Sequence, residues 1–287
     1  MSDHGDKCLK TQEQPVVFKC CDEELIGIIH APEPKNSKGV LIVVGGPQYR
    51  VGSHRQFVLL ARFLSQHNIP VMRFDYRSMG DSEGDGISFE NIDDDIRNAI
   101  DTFFSQVKEL REIIIWGLCD AASAAMMYAA TDSRVSGLVL VNPWVRTESS
   151  IARTYLKHYY LSRLFDWHSW GRLLRGNIVQ AAQSFSQMLL KGIVSGRSNS
   201  PDSEVPYTQR MLRGLQSFEG QVLLILSGQD YTASEFKDTV ADSKAWSEVL
   251  ERKFIAQREL PEANHTFATR AWRDQVADWT MEWLESW

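Results

Sequence analysis

The sequence predicts an α/β protein with a mostly parallel central sheet, helices on both faces and a helical cap insertion. Three observations carry this expectation. Continuous apolar runs rich in β-branched residues, such as Gly39–Val44, Glu112–Trp116 and Gln221–Leu226, read as buried strands. They alternate with stretches whose apolar residues recur every three to four positions, the period of a half-buried helix. One segment, 145–214, lacks strand patterns and interrupts the alternation.

Taken in order, residues 1–14 are polar and read as a tail. Strands near 15–20 and 25–31 follow, with a turn at Asp22-Glu23-Glu24. The Gly39–Val44 strand precedes a helix with Phe57, Leu60, Ala61 and Leu64 on one face. Val71–Phe74 is the next strand, and a helix carrying Ile92, Ile96, Ile100, Phe103 and Val107 comes after it. Glu112–Trp116 leads into Ala122–Ala130, a run of strong helix formers. Val135–Val141 is a strand, and beyond the insertion Gln221–Leu226 and Phe254–Leu260 complete the sheet. The last helix places Trp272, Val276, Trp279, Trp283 and Trp287 along a stripe read as core contacts. The core therefore spans 15–144 and 215–287.

The stretch from about Pro143 to Gly220 is aromatic, with Trp144, Tyr155, Tyr159, Tyr160, Phe165, Trp167 and Trp170, and contains helical stretches such as Val179–Leu190. Between Val145 and Ser200 eight basic residues, among them Arg146, Arg153 and Lys157, stand against only Glu148 and Asp166. Arginine and aromatics together suit an acyl group on an anionic carrier, such as coenzyme A or a phosphopantetheine arm of an acyl carrier protein, with Arg153 and Lys157 as binding residues. A solvated basic face is the competing reading.

Composition narrows the class. At 287 residues and 43% hydrophobic, the chain can bury a large core. A net charge of −6 argues against generic nucleic-acid binding. No apolar run approaches the length of a membrane span, and Met1–Gln14 lacks the apolar core of a secretory signal, so a cytoplasmic protein is expected. The four cysteines include no C-x-x-C, and the seven histidines show no zinc spacing, so no disulfide framework, metal or other cofactor is read.

The most informative stretch is Gly117-Leu118-Cys119-Asp120-Ala121, at the junction of a strand and a helix. Small residues two places before and after a cysteine permit a very tight turn. That turn raises Cys119 above a helix N-terminus, whose dipole favours a thiolate. A buried structural cysteine is the alternative. Gly45-Gly46-Pro47-Gln48 ends another strand, and its paired glycines let the backbone, Gly46 included, approach a substrate oxygen. Asp230 follows the Gln221–Leu226 strand, and His265 lies in a polar loop after the last strand.

Four blocks carry a resemblance: 45–56 (GGPQYRVGSHRQ), 73–84 (RFDYRSMGDSEG), 116–124 (WGLCDAASA) and 142–147 (NPWVRT). They resemble the exosortase A system-associated hydrolases of the type labelled hydrolase 1, bacterial members of the α/β-hydrolase superfamily, over most of the chain from about residue 15. Ser78 stands where glycine is more usual in hydrolases. The resemblance implies a setting of exopolysaccharide synthesis and envelope sorting. It also implies a nucleophile–acid–histidine order, met by Cys119, Asp230 and His265, with Glu235 as the alternative acid. The oxyanion donors would be the backbone N–H groups of Asp120 and Gln48, because Pro47 has none. Asp75 and Arg77 would fix loops near the site. The expected activity is ester or thioester hydrolysis through an acyl-enzyme. Acyl transfer from a carrier thioester to an acceptor is one alternative, and a non-catalytic binding protein is another.

Overall fold

The computed structural model describes residues 12–32, 36–46, 48–146 and 205–287. Eight strands form one sheet in the order β1-β2-β4-β3-β5-β6-β7-β8. They are β1 (Gln12–Cys20), β2 (Glu23–Ala31), β3 (Lys38–Val43), β4 (Val71–Phe74), β5 (Glu112–Leu118), β6 (Val135–Val141), β7 (Gln221–Ser227) and β8 (Ile255–Leu260). The β1–β2 and β2–β4 pairings are antiparallel, and every later pairing is parallel. The helices are α1 (Gln56–Gln66), α2 (Asp93–Gln106), α3 (Asp120–Tyr128), α4 (Tyr207–Ser217), α5 (Tyr231–Ala241), α6 (Lys244–Leu250) and α7 (Arg270–Glu285).

The apolar runs form the strands because parallel strands with helices on both faces have no wet side. Val40–Val43 of β3 and Ile113–Ile115 of β5 are fully buried. The predicted face of α1 is buried at Phe57, Leu60, Ala61 and Leu64, and that of α2 at Ile96, Ile100 and Phe103. In α7 the buried face runs through Val276, Ala277, Thr280, Met281 and Leu284 together with Trp283, while Trp272, Trp279 and Trp287 pack at its margin. Gly137 of β6 makes room for them, since a Cβ there would meet Trp283 at 3.0 Å and Trp287 at 3.2 Å.

Two local expectations are corrected. The first hairpin turns at Cys21 and Asp22, not at Asp22-Glu23-Glu24, because Cys20 already pairs with Glu23. Both turn residues have positive φ, 50° and 70°, as a two-residue hairpin loop requires. The polar tail also ends earlier, since β1 begins at Gln12.

One compact unit comprises Met1–Arg146 with Tyr207–Trp287, and Thr147–Pro206 falls in a second. Helix α4 packs against α3 in the first unit, although the sequence reading counted most of it with the insertion. Arg153, Lys157 and the Val179–Leu190 stretch lie outside the described residues.

Candidate active site

The carboxyl ends of the parallel strands gather the residues of the candidate site. Cys119 follows β5, Asn142 follows β6, Asp230 follows β7 and His265 follows β8. The loop from Gly45 follows β3, which pairs with β5 up to Gly117.

Cys119 sits at the turn with φ 64° and ψ −126°, a strained conformation for a residue with a side chain. The chain around it leaves no space. A Cβ on Gly117 would lie 2.7 Å from the backbone of Ala121 and Ala122, and one on Gly45 would lie 2.3 Å from the Leu118 carbonyl oxygen. The Cys119 N–H donates to Val141 O at 2.9 Å, and its carbonyl accepts from Trp144 N at 3.3 Å, so the turn is tied to the end of β6.

Asp230 and His265 are joined by a zipper between the loops that bear them. Gly228 N donates to Leu260 O and Gln229 N to Ala263 O, both at 2.9 Å. Gly228 is required there, because a Cβ would meet Pro261 O at 2.2 Å. His265 Nδ1 lies 2.8 Å from Asp230 Oδ2. The same carboxylate caps α5, accepting from Thr232 N at 3.2 Å and Ala233 N at 3.1 Å. Its orientation is therefore fixed independently of the histidine. The alternative acid, Glu235, is engaged elsewhere: both its oxygens lie 3.1 Å from Arg146 Nε, and the carboxylate is 3% exposed. Arg146 in turn lies over the Trp144 ring.

Burial works against the helix dipole at Cys119. Cys119 is 9% exposed, and burial pushes its thiol up to about 12, with the Asp120 and Asp230 carboxylates acting in the same direction. The Asp120 N–H and the charge of Arg146 pull the other way but do not prevail. Desolvation therefore favours the thiol over the thiolate.

The loop after β3 reaches the cysteine turn through its backbone. The backbone N–H that meets the turn is that of Gly46, and it donates to Asp120 Oδ1 at 2.6 Å. The Gln48 side chain accepts from Ser53 N at 3.1 Å. Sequence reasoning had treated Asp120 as a backbone donor only. Burial raises its carboxyl above the usual carboxylate range, against the hydrogen bonds from Gly46 and Ala121 and the charge of His265.

Asn142, which the sequence analysis did not single out, ties the His265 loop to the ends of β6 and β7. It is fully buried, has φ 45°, and receives Ser227 N at 2.9 Å. It donates to Ser227 Oγ at 2.8 Å and to His265 O at 3.1 Å. The only available signal was an asparagine directly after a strand, where the left-handed region favours it. Asp75, fully buried, and Arg77, partly exposed, anchor loops. Asp75 accepts from Arg50 and from Asp81 N, and Arg77 makes a two-pronged contact with Asp95. Among the described residues no group of three His, Cys, Asp or Glu could hold a metal ion, and no helix is long and apolar enough to cross a membrane.

Residues 40–279 match the model of the alpha/beta hydrolase family. No curated protein matches the sequence. Among solved structures the chain is similar to the esterase Pf2001 of Pyrococcus furiosus, with a TM-score of 0.66 and 16% identity over 97% of this chain and 94% of that one. It is also similar to Est1E of Butyrivibrio proteoclasticus bound to ferulic acid (TM-score 0.60, 13% identity, 94% and 100% covered). A third is the alpha/beta hydrolase GrgF of a Penicillium species (TM-score 0.62, 14% identity, 96% and 98% covered). At these identities the likeness is one of fold.

Proposed function

The chain belongs to the alpha/beta hydrolase family, and we propose that it hydrolyses ester or thioester bonds by acyl transfer through Cys119, His265 and Asp230. The observation that carries this reading is the 2.8 Å contact between His265 Nδ1 and Asp230 Oδ2, at the strand ends next to the strained Cys119 turn.

With Nδ1 turned to Asp230, His265 has Nε2 left to act as the base. The thiol gives its proton to Nε2 as sulfur attacks the carbonyl, so no free thiolate need accumulate. The Asp120 N–H at the start of α3 meets the developing oxyanion, with a second donor from the side of the β3 loop. His265 then protonates the leaving group, and water resolves the acyl-enzyme. A sulfur nucleophile favours esters and thioesters over amides, because from the tetrahedral intermediate the thiolate departs more readily than an amine.

The substrate class extends the same proposal. The basic, aromatic 145–200 segment supports an acyl group on coenzyme A or a carrier protein, with Arg153 and Lys157 as contacts. The motif blocks support a role beside exopolysaccharide and exosortase systems. The test is mass spectrometry of the intact protein after brief incubation with p-nitrophenyl acetate and with acetyl-coenzyme A. An acetyl adduct confined to Cys119 and absent from Cys119→Ala is expected. Unimpaired ester turnover by Cys119→Ala and His265→Ala would end the proposal.

A further inference from the structure

In the proposed reaction the oxyanion needs two donors, and the one offered by the β3 loop is already occupied. Gly46 N–H points at Asp120 Oδ1, 2.6 Å away. The carboxyl fills the space between that loop and the cysteine turn: a Cβ on Gly45 would stand 2.4 Å from the same oxygen and 3.1 Å from Ala121 N. An oxyanion formed on the Gly45–Gly46 side of Cys119 would therefore meet the Asp120 carboxyl before it met the Gly46 N–H. An ionised carboxylate at that position would repel the charge that the site has to stabilise. A carboxylic acid there would donate to it.

We infer that Asp120 is a catalytic residue: its carboxyl, anchored on the Gly46 N–H beside Cys119, acts as a neutral acid and gives the oxyanion its second hydrogen bond. This rests on the acyl-transfer reading above. Burial favours the acid form, against the backbone N–H groups of Gly46, Ala121 and Asp120 itself, which favour the carboxylate. The carboxyl is buried, and burial is the leading cause that raises it above the ordinary range. Among the described residues the titratable groups that sense it are Cys119 on the turn, Tyr76 in the loop after β4 and His265 in the loop after β8. Of these only His265 can be cationic and favour the carboxylate. It becomes so while the oxyanion exists, and the oxyanion, lying against the carboxyl, acts in the opposite sense.

The step balances without a net change at Asp120. The S–C bond forms as the thiol proton passes to His265, and the carbonyl π pair moves onto oxygen. That oxygen accepts a hydrogen bond from the Asp120 O–H. On collapse the pair returns, the bond to the leaving group breaks, and the leaving group takes the proton from His265. Asp120 keeps its own proton throughout.

Asp120 must be protonated to donate, so activity falls as Asp120 ionises. The experiment compares wild type, Asp120→Asn and Asp120→Ala with a p-nitrophenyl ester across pH. Reaction of Cys119 with 4,4′-dithiodipyridine, an attack at sulfur that forms no oxyanion, is followed in parallel by mass spectrometry. Asp120→Ala is expected to lose about 100-fold or more in kcat. Asp120→Asn, which keeps a donor but cannot titrate, is expected to lose less and to lack the alkaline limb. Neither should react more slowly than wild type with the disulfide reagent, which confirms an intact cysteine turn. A difference infrared spectrum between wild type and Asp120→Asn should contain a protonated carboxyl band on the acid side of the profile.

An Asp120→Ala variant as fast as wild type overturns the inference, since the freed Gly46 N–H would then suffice. An alkaline limb that survives in Asp120→Asn, equal losses in both variants, or a missing protonated carboxyl band also overturns it. Wild-type ester turnover that is insensitive to Cys119→Ala and His265→Ala would instead remove the acyl-transfer reading itself.

Discussion

Asn142 donates a hydrogen bond to the backbone oxygen of His265 at 3.1 Å, so the end of β6 holds the loop that bears the histidine. The same amide receives Ser227 N at 2.9 Å from the end of β7, two strands before the His265 loop. Asn142→Ala should therefore lower kcat by roughly 10-fold or more with little change in KM, as expected for a displaced base. It should also destabilise by about 1–3 kcal/mol, because it strands a buried N–H. Urea denaturation and steady-state kinetics check both. A variant that loses stability but keeps kcat would confine Asn142 to the fold.

The two acids near the site should separate cleanly. Asp230→Asn should cut kcat roughly 100- to 10,000-fold, since the imidazole loses the carboxylate that orients it. Glu235→Gln should leave kcat near wild type and lower the melting temperature, because both Glu235 oxygens already lie 3.1 Å from Arg146. The opposite pattern would assign the acid to Glu235.

Alkylation should follow burial more than the helix dipole. With its thiol raised to about 12, Cys119 should react with iodoacetamide more slowly than exposed Cys21 at neutral pH. Its rate should keep climbing with pH up to that value. Peptide mapping of labelled protein gives the order directly. Preferential labelling of Cys119 near neutrality would mean that the thiolate is stabilised after all.

His30 should make stability depend on pH below the neutral range. It is fully buried, accepts from Arg73 Nε at 3.0 Å, and burial with the Arg73 charge lowers it from 6.5 to about 4. The unfolded chain then binds the extra proton first, so stability is complete above 6.5 and is lost as pH falls towards about 4. The loss over that window is on the order of 3 kcal/mol. His30→Gln, which keeps an acceptor for Arg73, should flatten this part of the curve in chemical denaturation. An unchanged slope would assign the effect to other groups.

Gly117→Ala should disable the turn rather than merely loosen it. The new Cβ would lie 2.7 Å from backbone atoms of Ala121 and Ala122, which cannot retreat without unwinding the start of α3. A loss of several kcal/mol, together with loss of ester turnover, is expected. Thermal melting of the purified variant decides the matter, and a wild-type melting temperature would contradict the packing.

What the sequence determined by itself was whatever depends on neighbours along the chain. Apolar runs such as Val40–Val43 make strands, the 3–4 spacing of Phe57, Leu60, Ala61 and Leu64 makes a helix face, and Gly117 with Ala121 marks a tight turn. These signals are local because backbone sterics and side-chain periodicity act within a few residues. The alignment of Asp230 with His265 required the sheet, since the pairing of β7 with β8 up to Ser227 and Leu260 brings their loops together. The engagement of Glu235 by Arg146, the bond from Asn142 to His265 and the capture of Gly46 N–H by Asp120 likewise join residues far apart in sequence. So does the protonation of Cys119. A sequence records that a thiol stands at a helix start, but burial and the carboxylates assembled around it by the fold set its proton affinity. Electrostatics in a dry interior depends on distance through space, and that distance exists only once the chain has folded.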